Sequence, residues 1–463
     1  MAVARTHRPV WTEEKCMPCG TCTRHCPATV FTHLALEPDS LRGRVARDKR
    51  FPAVPQKPSV EPCRAACPLG QDVAGYVGAA ARGDFQKAAQ IIYMSNPLPS
   101  VLGRLCVHPC MSACVRTALD QAVDIRSIKR AAVELAHERP IGPPKKQKNG
   151  KVVVVGAGPA GLATAFYVRR MGWQVKIIEQ SSEPGGLLQW AVPSFALPRG
   201  ALWDDMNTVL GMGVELVTGK RIESLEEIED MLAHGLSAVV LATGAGVGKK
   251  RKIAGSLLGG CFDAVSFAQE YCMGKGPRLS GPAVVAGSTH MAVASAKMAA
   301  RAGAGPVWLL VRAPKENSPM DEEQLGSMEH EGVDVLWEHV PVEALGKDGR
   351  LTGVRIEPVV HGAPDRVRRR WPVVEVSSSS RTLHAATFVD GAERVPDLGY
   401  LGQNTKMLSP LGTLAVESSY ETSIPGVFAV GDAVTGARNV VQAVATAMRA
   451  SIAINRRCVE VTS

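Results

Sequence analysis

Twelve cysteines are distributed unevenly along the chain, and nine of them precede residue 115. Four form a run with the spacing Cys16-x2-Cys19-x2-Cys22-x3-Cys26 and are followed directly by Pro27. Short turns in such a run direct thiolates to the irons of a [4Fe-4S] cubane. A zinc ion bound by four thiolates is the alternative, but the short spacings and the final Cys-Pro favour the cubane. The run therefore predicts iron-sulfur chemistry.

A glycine-rich turn at residues 156–161 has the composition of a dinucleotide-binding turn. It matches GxGxxG, follows the apolar stretch 151–155 and precedes the alanine-rich stretch 162–171. Glycines there permit a tight turn, close approach of the backbone to a pyrophosphate, and close packing of helix on strand. An acidic residue 18 positions after the last glycine can bind the adenosine ribose. The predicted binding residues are Gly156, Gly158, Pro159, Ala160, Gly161 and Glu179.

Two later segments indicate that the first nucleotide is FAD. They are residues 238–244, ending in Thr243 and Gly244, and residues 426–432, ending in Gly431 and Asp432. Both have the form expected of a flavoprotein with two dinucleotide-binding domains, in which Asp432 would accept hydrogen bonds from the ribityl hydroxyls. Further residues predicted to line the flavin region are Gly186, Leu187 and Arg199.

The elements that must position these residues predict an α/β fold in several domains. Residues 1–60 form a ferredoxin-like [4Fe-4S] segment and a loop, 61–139 an α-helical iron-sulfur domain, and 140–150 a linker rich in proline and glycine. Residues 151–270 and 385–463 form a Rossmann-like FAD-binding domain. Residues 271–384 form a second Rossmann-like domain of the NAD(P)-binding type, because strand, turn and helix patterns recur at 282–311.

Several of these segments resemble the family of the glutamate synthase small subunit. Its relatives include the N-terminal part of dihydropyrimidine dehydrogenase and the large subunit of NADH-dependent ferredoxin:NADP oxidoreductase. Together with the flavin segments, the matching stretches cover residues 61–455. They are Cys63-Arg-Ala-Ala-Cys67-Pro, Asn96-Pro-Leu-Pro, Gly103-Arg-Leu-Cys106, Val123-Asp-Ile-Arg-Ser-Ile-Lys129, Gly185-Gly-Leu-Leu188 and Leu197-Pro-Arg199.

The resemblance implies that a second group of cysteines also binds iron and sulfur. This group is Cys63, Cys67, Cys106, Cys110 and Cys114. The family has two further cysteines shortly before the position of Cys63, and another before Gly103 where this chain has Leu102. Lys129 and Arg130 lie where some relatives supply a non-cysteine ligand. We therefore expect two [4Fe-4S] clusters, with the run from Cys16 to Cys26 replacing the missing pair.

The second dinucleotide unit departs from the family where NAD(P)H would bind. Its turn keeps Gly287, but Thr289 stands where the second glycine is expected and would obstruct the pyrophosphate. Only Arg312, with Lys315 nearby, stands where relatives that use NADPH have paired arginines for the 2′-phosphate. His290 in this turn reads as structural rather than catalytic.

Three functional hypotheses follow from these motifs. In the first, NAD(P)H delivers hydride to FAD, which releases single electrons to the clusters and a partner redox protein. In the second, the chain is an internal electron carrier or bifurcating subunit that does not bind NAD(P)H. The third is a scaffold without flavin, which the intact first glycine turn disfavours. A glutamate synthase small subunit is a further alternative, but it would need a large partner. No general acid, base or nucleophile stands out, so the cofactors are expected to carry the chemistry.

The remaining composition excludes other classes of protein. The net charge of +9 is spread along the chain apart from residues 145–148 and 366–370. We interpret these two segments as a solvated linker and a solvated loop rather than a nucleic-acid surface, and a docking surface for an acidic electron-transfer partner is the alternative. The sequence contains no run of about 18 apolar residues, so we expect no membrane span. Residues 1–10 also lack the apolar core of a signal peptide. We expect a cytoplasmic subunit of a hetero-oligomeric complex. Cys261, Cys272 and Cys458 show no ligand spacing and are expected to be incidental thiols.

Overall fold

The computed structural model describes residues 60–276, 278–318, 320, 322–361, 373–376, 379–391 and 393–462, with only the backbone of 373–376. The predicted cluster ligands Cys16, Cys19, Cys22 and Cys26 lie outside these residues. The chain divides into two compact units, Met1–Ile141 and Gly142–Ser463, at a point inside the predicted linker 140–150.

The described part of the first unit is helical. Its helices are α1 Pro62–Ala66, α2 Val73–Ala81, α3 Phe85–Tyr93, α4 Pro99–Leu105, α5 Pro109–Ser112 and α6 Ile125–Leu135, with a 3-10 turn at Val115–Ala118. An aspartate caps each of the longer helices, since Asp72, Asp84 and Asp124 accept hydrogen bonds from the third backbone amide of α2, α3 and α6. The inner faces of these helices pack into one apolar core that includes Tyr76, Ile92, Cys110 and Ile125.

The second unit contains two parallel sheets. In the first sheet, the order is β16-β4-β1-β2-β3, formed by β1 Lys151–Val155, β2 Gln174–Ile178, β3 Glu215–Val217, β4 Ala238–Leu241 and β16 Val427–Ala429. Its helices are α7 Pro159–Arg170, α8 Leu187–Trp190, α9 Arg199–Leu210, α10 Leu225–Ala233, α14 Asp432–Thr435 and α15 Val440–Thr462. The buried β-branched residues of β1 and β4 explain why both faces of this sheet are covered.

The second sheet has the order β6-β14-β7-β8-β9 and is parallel throughout. Its strands are β6 Cys261–Asp263, β7 Gly281–Ala286, β8 Ala304–Val311, β9 Val333–Trp337 and β14 Thr387–Asp390, with helices α11 Ala264–Cys272, α12 His290–Arg301 and α13 Glu322–His330. The strands β6 and β14 lie beyond the predicted bounds 271–384. The second domain is therefore larger than its repeated motif indicated, because these short strands join it only through pairing with distant residues.

Antiparallel strands complete the second unit. The strands β10 His339–Lys347, β11 Arg350–His361, β12 Val373–Val376 and β13 Arg381–His384 form one sheet, in which β11 pairs with the other three. The strands β5 Val247–Lys249 and β15 Glu393–Val395 form a two-stranded ribbon. Short 3-10 helices lie at Lys315–Asn317, Gly399–Leu401 and Thr405–Met407. No described helix is long and apolar enough to cross a bilayer.

Candidate functional site

The first glycine turn has the geometry that a bound pyrophosphate requires. A Cβ atom on Gly161 would lie 1.9 Å from the carbonyl oxygen of Gly156, so a side chain there would force the helix away from the turn. On the opposite side, a Cβ atom on Gly158 would meet only the Cα of Gly186, at 4.0 Å. Helix α7 begins at Pro159 with no side chain capping its first turn. The turn is therefore packed on the protein side and open where an anion would approach the helix N-terminus.

Glu179 lies beside this turn, directly after β2. It is 5% exposed, and its Oε2 atom accepts a hydrogen bond of 2.7 Å from the backbone amide of Ala157. Its Oε1 atom accepts one of 2.8 Å from the amide of Ser181. Each carboxylate oxygen has a further lone pair. The predicted ribose acceptor is thus held in a fixed orientation next to the glycine turn.

The second flavin segment reaches the same place from β16. A Cβ atom on Gly431 would lie 2.6 Å from the Cβ of Ala160, so Gly431 packs against the first turn of α7. Asp432, the first residue of α14, follows directly after this contact. The Asp432 carboxylate accepts a bond from the Arg438 amide at 3.2 Å and lies 3.5 Å from the Arg394 guanidinium. Burial raises the pKa of Asp432, while the charge of Arg394 opposes the rise. The Arg394 guanidinium also donates to the carbonyl oxygen of Ala245.

Helix α8 supplies polar atoms that no sequence motif indicated. The indole Nε1 of Trp190 and the amide Oε1 of Gln189 are buried without a hydrogen-bond partner among the described residues. Arg199 donates from Nη1 to the carbonyl oxygen of Leu188 at 2.8 Å, which fixes this helix after Gly186. Leu187 packs on the apolar core of the second sheet. These unsatisfied atoms are the kind that a bound ligand satisfies.

Two buried hydroxyls, those of Thr243 and Tyr400, lie in the region that follows strand β4. Thr243 follows β4, and the hydroxyls of Thr243 and Tyr400 are both buried without a hydrogen-bond partner among the described residues. Burial raises the pKa of Tyr400 to about 12, so its hydroxyl stays protonated. Gly244 has φ +70° and no atom within 4 Å of an added Cβ, so this turn also faces open space. The residues predicted for FAD thus converge on the carboxyl ends of β1, β4 and β16, with Glu179 after β2.

The second glycine turn differs from the first at its helix N-terminus. The hydroxyl of Thr289 accepts a bond of 3.1 Å from the amide of Ala292 and donates one of 3.0 Å to the carbonyl oxygen of Gly391. The first turn of α12 is therefore capped by its own side chain. The imidazole of His290 bonds to Gln324 at 3.2 Å, which agrees with its structural interpretation. The Ala292 amide, which could otherwise donate to a phosphate, therefore already donates to the Thr289 hydroxyl.

Cations lie at the same edge of the second sheet. Arg312 is exposed directly after β8, and its carbonyl oxygen bonds to Nε2 of His361 at 2.7 Å. Arg251, which sequence patterns did not indicate, has its Nε 3.4 Å from the buried carboxylate of Asp390 at the end of β14. Burial lowers the pKa of Arg251, the charge of Asp390 opposes this shift, and the charge of Arg312 adds to it, so the two guanidinium groups are close enough to interact. This edge is positively charged even though Asp390 neutralises part of it.

The helical unit brings the second cysteine group together at the ends of short helices. Cys67 and Cys106 follow α1 and α4, Cys110 lies in α5, and Cys114 follows α5. The backbone amide of Val123 lies 3.5 Å from the Cys114 sulfur, in position to donate a hydrogen bond. His108, between the second and third of these cysteines, has φ 38°, a left-handed conformation uncommon for a residue with a side chain. The turn between Cys106 and Cys110 therefore contains a left-handed backbone conformation at a residue other than glycine.

Burial and the charges of neighbouring groups raise the pKa values of two thiols in this group. Burial raises the pKa of Cys110 to about 11, the charge of Lys129 opposes the rise, and the charges of Cys106 and Cys67 add to it. Burial also raises the pKa of Cys63, to which the charges of Glu61 and Cys114 add. Cys67 and Cys106 thus lie near Cys110, and Cys63 lies near Cys114.

The chemistry of these thiols, rather than a ready-made site for a single ion, is what relates them to a cluster. No three His, Cys, Asp or Glu side chains in the described part of the chain are close enough to bind one metal ion. A mononuclear zinc site needs its thiolates about 2.3 Å from a common ion, whereas each thiolate of a cubane binds a different iron. All eight described cysteines are free of disulfides, including Cys261, Cys272 and Cys458. The donor set therefore fits a [4Fe-4S] cluster.

Comparisons with known proteins agree with this architecture. Residues 150–450 match the family model described as pyridine nucleotide-disulphide oxidoreductase. Residues 57–141 match the model described as dihydropyrimidine dehydrogenase domain II, 4Fe-4S cluster. The fold and the site together define an FAD-dependent iron-sulfur oxidoreductase, as the sequence predicted. By the match over residues 150–450, the chain belongs to the pyridine nucleotide-disulphide oxidoreductase family.

Curated relatives cover most of the chain. The NADP(+)-dependent formate dehydrogenase subunit beta of Moorella thermoacetica is 32% identical over 423 residues, which are 85% of this chain and 59% of that protein. The NADPH-Fe(3+) oxidoreductase subunit beta of Geobacter sulfurreducens is 32% identical over 435 residues, 85% of this chain and 63% of that protein. The chain thus spans about three fifths of the length of these relatives. The glutamate synthase [NADPH] small chain of Escherichia coli is 27% identical over 415 residues, 84% of this chain and 87% of that protein.

Solved structures share the fold of the second unit. FprA of Mycobacterium tuberculosis in complex with NADPH has a TM-score of 0.56 at 14% identity, covering 68% of this chain and 85% of that chain. Thioredoxin reductase of Lactococcus lactis has a TM-score of 0.51 at 20% identity, covering 67% of this chain and 100% of that chain. The prediction of two Rossmann-like domains that follow a helical iron-sulfur domain in the sequence is confirmed.

Proposed function

We propose that the chain moves electrons between NAD(P)H, FAD and two [4Fe-4S] clusters, and to or from a partner redox protein. The observation that carries the proposal is the open, uncapped N-terminus of α7 beside Glu179, in the same chain as a helical unit with five free thiols. FAD supplies the needed chemistry, because it exchanges two electrons with a nicotinamide and single electrons with a cluster.

The residues proposed to hold FAD act by binding and orientation. The amides of the first turn of α7, after Gly158, would receive the pyrophosphate, and Glu179 would accept the ribose hydroxyls. Asp432 would accept from the ribityl chain. Trp190 has a buried indole N–H that would donate to the same ligand. The site thus offers both donors and acceptors along the length of a dinucleotide.

The names of the relatives favour NADPH as the nicotinamide and a complex as the setting. NADP(+) or NADPH is named for the Moorella, Geobacter and Escherichia proteins, each of which is called a subunit or chain. In this chain, Arg312 and Arg251 supply positive charge at the edge where a 2′-phosphate would lie. We propose that the chain likewise works in the cytoplasm within a hetero-oligomeric redox complex.

The number of clusters has a direct test. We propose that the described thiols and the run from Cys16 to Cys26 together hold two cubanes. Iron and acid-labile sulfide, measured against FAD in anaerobically purified protein, should then approach about eight irons per flavin. A value of about four would reduce the proposal to one cluster.

Anaerobic titration with NADPH and then NADH tests the electron path itself. Loss of the visible absorption band of oxidised flavin, followed by the electron paramagnetic resonance signal of a reduced cluster, is the expected result. Dithionite reduction of the same sample gives the full amplitude for comparison. If dithionite reduces the flavin and neither nucleotide does, the nicotinamide step is wrong.

One observation favours a second candidate function, that of an internal electron carrier without a nicotinamide site. The Thr289 hydroxyl occupies the Ala292 amide, so the helix N-terminus of α12 has less capacity for a phosphate. If the chain is such a carrier, neither NADPH nor NADH reduces the flavin of the wild-type protein, and Thr289→Gly should restore nucleotide binding. Ser224→Gly is the matched control, because Ser224 caps α10 in the same way. Fast bleaching of the wild-type protein would reject this candidate.

A further inference from the structure

Lys129 is a buried lysine on the inner face of a surface helix. It lies in α6, is only 4% exposed, and shares this face with the buried Ile125, Ala132 and Val133. The same core cluster contains Cys110 and Tyr76. Lysine normally keeps its ammonium group in water, so burial of nearly the whole residue needs a specific reason.

No carboxylate provides that reason among the described residues. Lys129 forms no ion pair or hydrogen bond with any described residue. The acidic groups nearest to it along the helix are engaged elsewhere: Glu134 pairs with Arg104 and Arg130, and Asp124 accepts from the Ser127 amide. An ammonium group without a counter-charge is strongly disfavoured in an apolar interior.

Cys110 lies in the same core as the helix face that carries Lys129 and is the thiol on which the charge of Lys129 acts. Cys110 also lies near Cys106 and Cys67. The hydroxyl of Tyr76 is fully buried without a partner among the described residues, and the same three thiols and Cys63 act on it. A buried cation and a buried hydroxyl donor thus converge on one group of sulfurs. Both would be satisfied by an anionic iron-sulfur cluster.

We propose that Lys129 is the buried counter-charge of the [4Fe-4S] cluster bound near Cys67, Cys106 and Cys110, and that it raises the reduction potential of this cluster. Tyr76 assists by donating its hydroxyl to a cluster sulfur. Both are positioning residues rather than iron ligands. Reduction adds one electron and one negative charge to the cluster, and a fixed positive charge stabilises the reduced state more than the oxidised state.

The potential of the cluster in the whole protein tests the inference. Full-length Lys129→Met, Lys129→Arg and Tyr76→Phe proteins would be titrated with dithionite while the reduced-cluster resonance and the flavin absorption are recorded. Lys87→Met is the matched control, because Lys87 is an exposed lysine on α3 of the same unit. Dithionite bypasses NAD(P)H and the partner, so failure of the proposed electron path would leave this measurement unaffected.

The expected result is a more negative cluster potential in Lys129→Met and a smaller shift of the same sign in Tyr76→Phe. Lys129→Arg and Lys87→Met should stay near the wild type, and the flavin potential should not move. Equal cluster potentials in Lys129→Met and Lys129→Arg would overturn the inference, because only one of these variants keeps the charge. If Lys129→Met loses its iron, retention of iron by Lys129→Arg supports the counter-charge, whereas loss in both overturns it.

Discussion

Glu179 fixes the shape of the first glycine turn and is also the residue proposed to bind the ribose of the ligand. Its two oxygens accept from Ala157 and Ser181, so the turn is fixed by the side chain proposed to bind the ribose. Glu179→Gln would leave one buried amide without an acceptor, at a cost of about 1–3 kcal/mol in stability. We expect this variant to be purified with much less FAD than the wild type, as measured from its absorption spectrum.

A matched control separates this effect from the loss of a charge. Glu215 is an exposed glutamate on β3 of the same sheet and pairs with Lys176 on the surface. Glu215→Gln should keep both the FAD content and the melting temperature of the wild type, since exposed ion pairs contribute little. Equal FAD content in the two variants would remove Glu179 from the proposed site.

The pair of Asp432 and Arg394 predicts a pH dependence of flavin binding. Burial raises the pKa of Asp432, so the carboxylate takes up a proton at a higher pH than an exposed aspartate does. A protonated Asp432 is a poorer acceptor for the ribityl hydroxyls. FAD affinity should therefore fall as the pH drops through this raised pKa. Arg394→Met removes the opposing charge, so its release curve, followed by FAD fluorescence, should move to higher pH.

Arg221→Met is the control for that experiment. Arg221 pairs with Asp397 on the surface, so its loss removes an arginine and an ion pair without affecting Asp432. Its release curve should coincide with that of the wild type. A shift of the same size in both variants would mean that net charge, rather than the neighbour of Asp432, controls FAD release.

At the scale of elements, the contact between α4 and α6 determines where the thiols of the helical unit lie. A Cβ atom on Gly103 would be 3.0 Å from the Cβ and 3.1 Å from the Cα of Arg130. A larger residue would push α6 away from α4, which ends at Leu105, directly before Cys106. We expect Gly103→Val to destabilise the unit by about 1–3 kcal/mol and to lower its iron content, measured as iron per FAD.

Gly78 provides the comparison for the helix contact. It lies in α2, where an added Cβ would meet only the end of the Arg82 side chain at 3.6 Å. Gly78→Ala should be neutral or stabilise the helix by about 0.5–1 kcal/mol, because alanine loses less backbone entropy than glycine on folding. Retention of iron by Gly103→Val would show that the spacing of α4 and α6 does not control the cluster.

The elements also show what a sequence can and cannot predict. The first βαβ unit was predictable because Gly156, Gly161 and Glu179 lie within one local motif whose spacing reflects its geometry. The pairing of β6 and β14 within the second sheet was not predictable, because nothing in their short sequences specifies pairing with residues more than 100 positions apart. The position of Arg394 beside Asp432 was likewise not predictable, since it depends on the pairing of β5 with β15.

Lys129 illustrates the same limit for electrostatics. Its place in the chain was noted from the resemblance, but its burial without a carboxylate depends on how α2, α5 and α6 pack. The cap formed by Thr289 was also not predictable in detail. The sequence indicated a side chain in the path of the pyrophosphate, whereas its hydroxyl instead occupies the amide of Ala292. Local spacing predicts which residues approach a site, and tertiary contacts determine which of their atoms stay available.

At the scale of the whole molecule, the chain divides into two units. A change in one unit can therefore remove iron-sulfur clusters without removing FAD. The residues proposed to hold FAD all lie in Gly142–Ser463, and the five described thiols of the helical unit lie in Met1–Ile141. Deletion of residues 1–30 removes the run from Cys16 to Cys26. We expect this variant to keep its FAD, to lose about half of its iron, and to lose electron transfer to the partner protein.

A substitution within that run provides a milder form of the same experiment. Changing Cys19 and Cys22 to serine leaves the chain length unchanged, so any loss of transfer can be attributed to the missing thiolates rather than to a missing segment. The variant Cys261→Ser is the control, because this thiol lies in β6 of the second unit. Full transfer by the double variant would exclude the run from the electron path.

The hydrogen bonds of Glu179 have one more consequence, for how the flavin enters the protein. The turn that follows β1 is already held in shape by a carboxylate of the protein, so little of it has to become ordered when a ligand arrives. Binding to such a preorganised cradle avoids most of the entropy cost of folding a loop around the cofactor. The flavin of this protein should therefore be exchangeable, so that synthetic analogues of altered redox potential can replace it without refolding the chain.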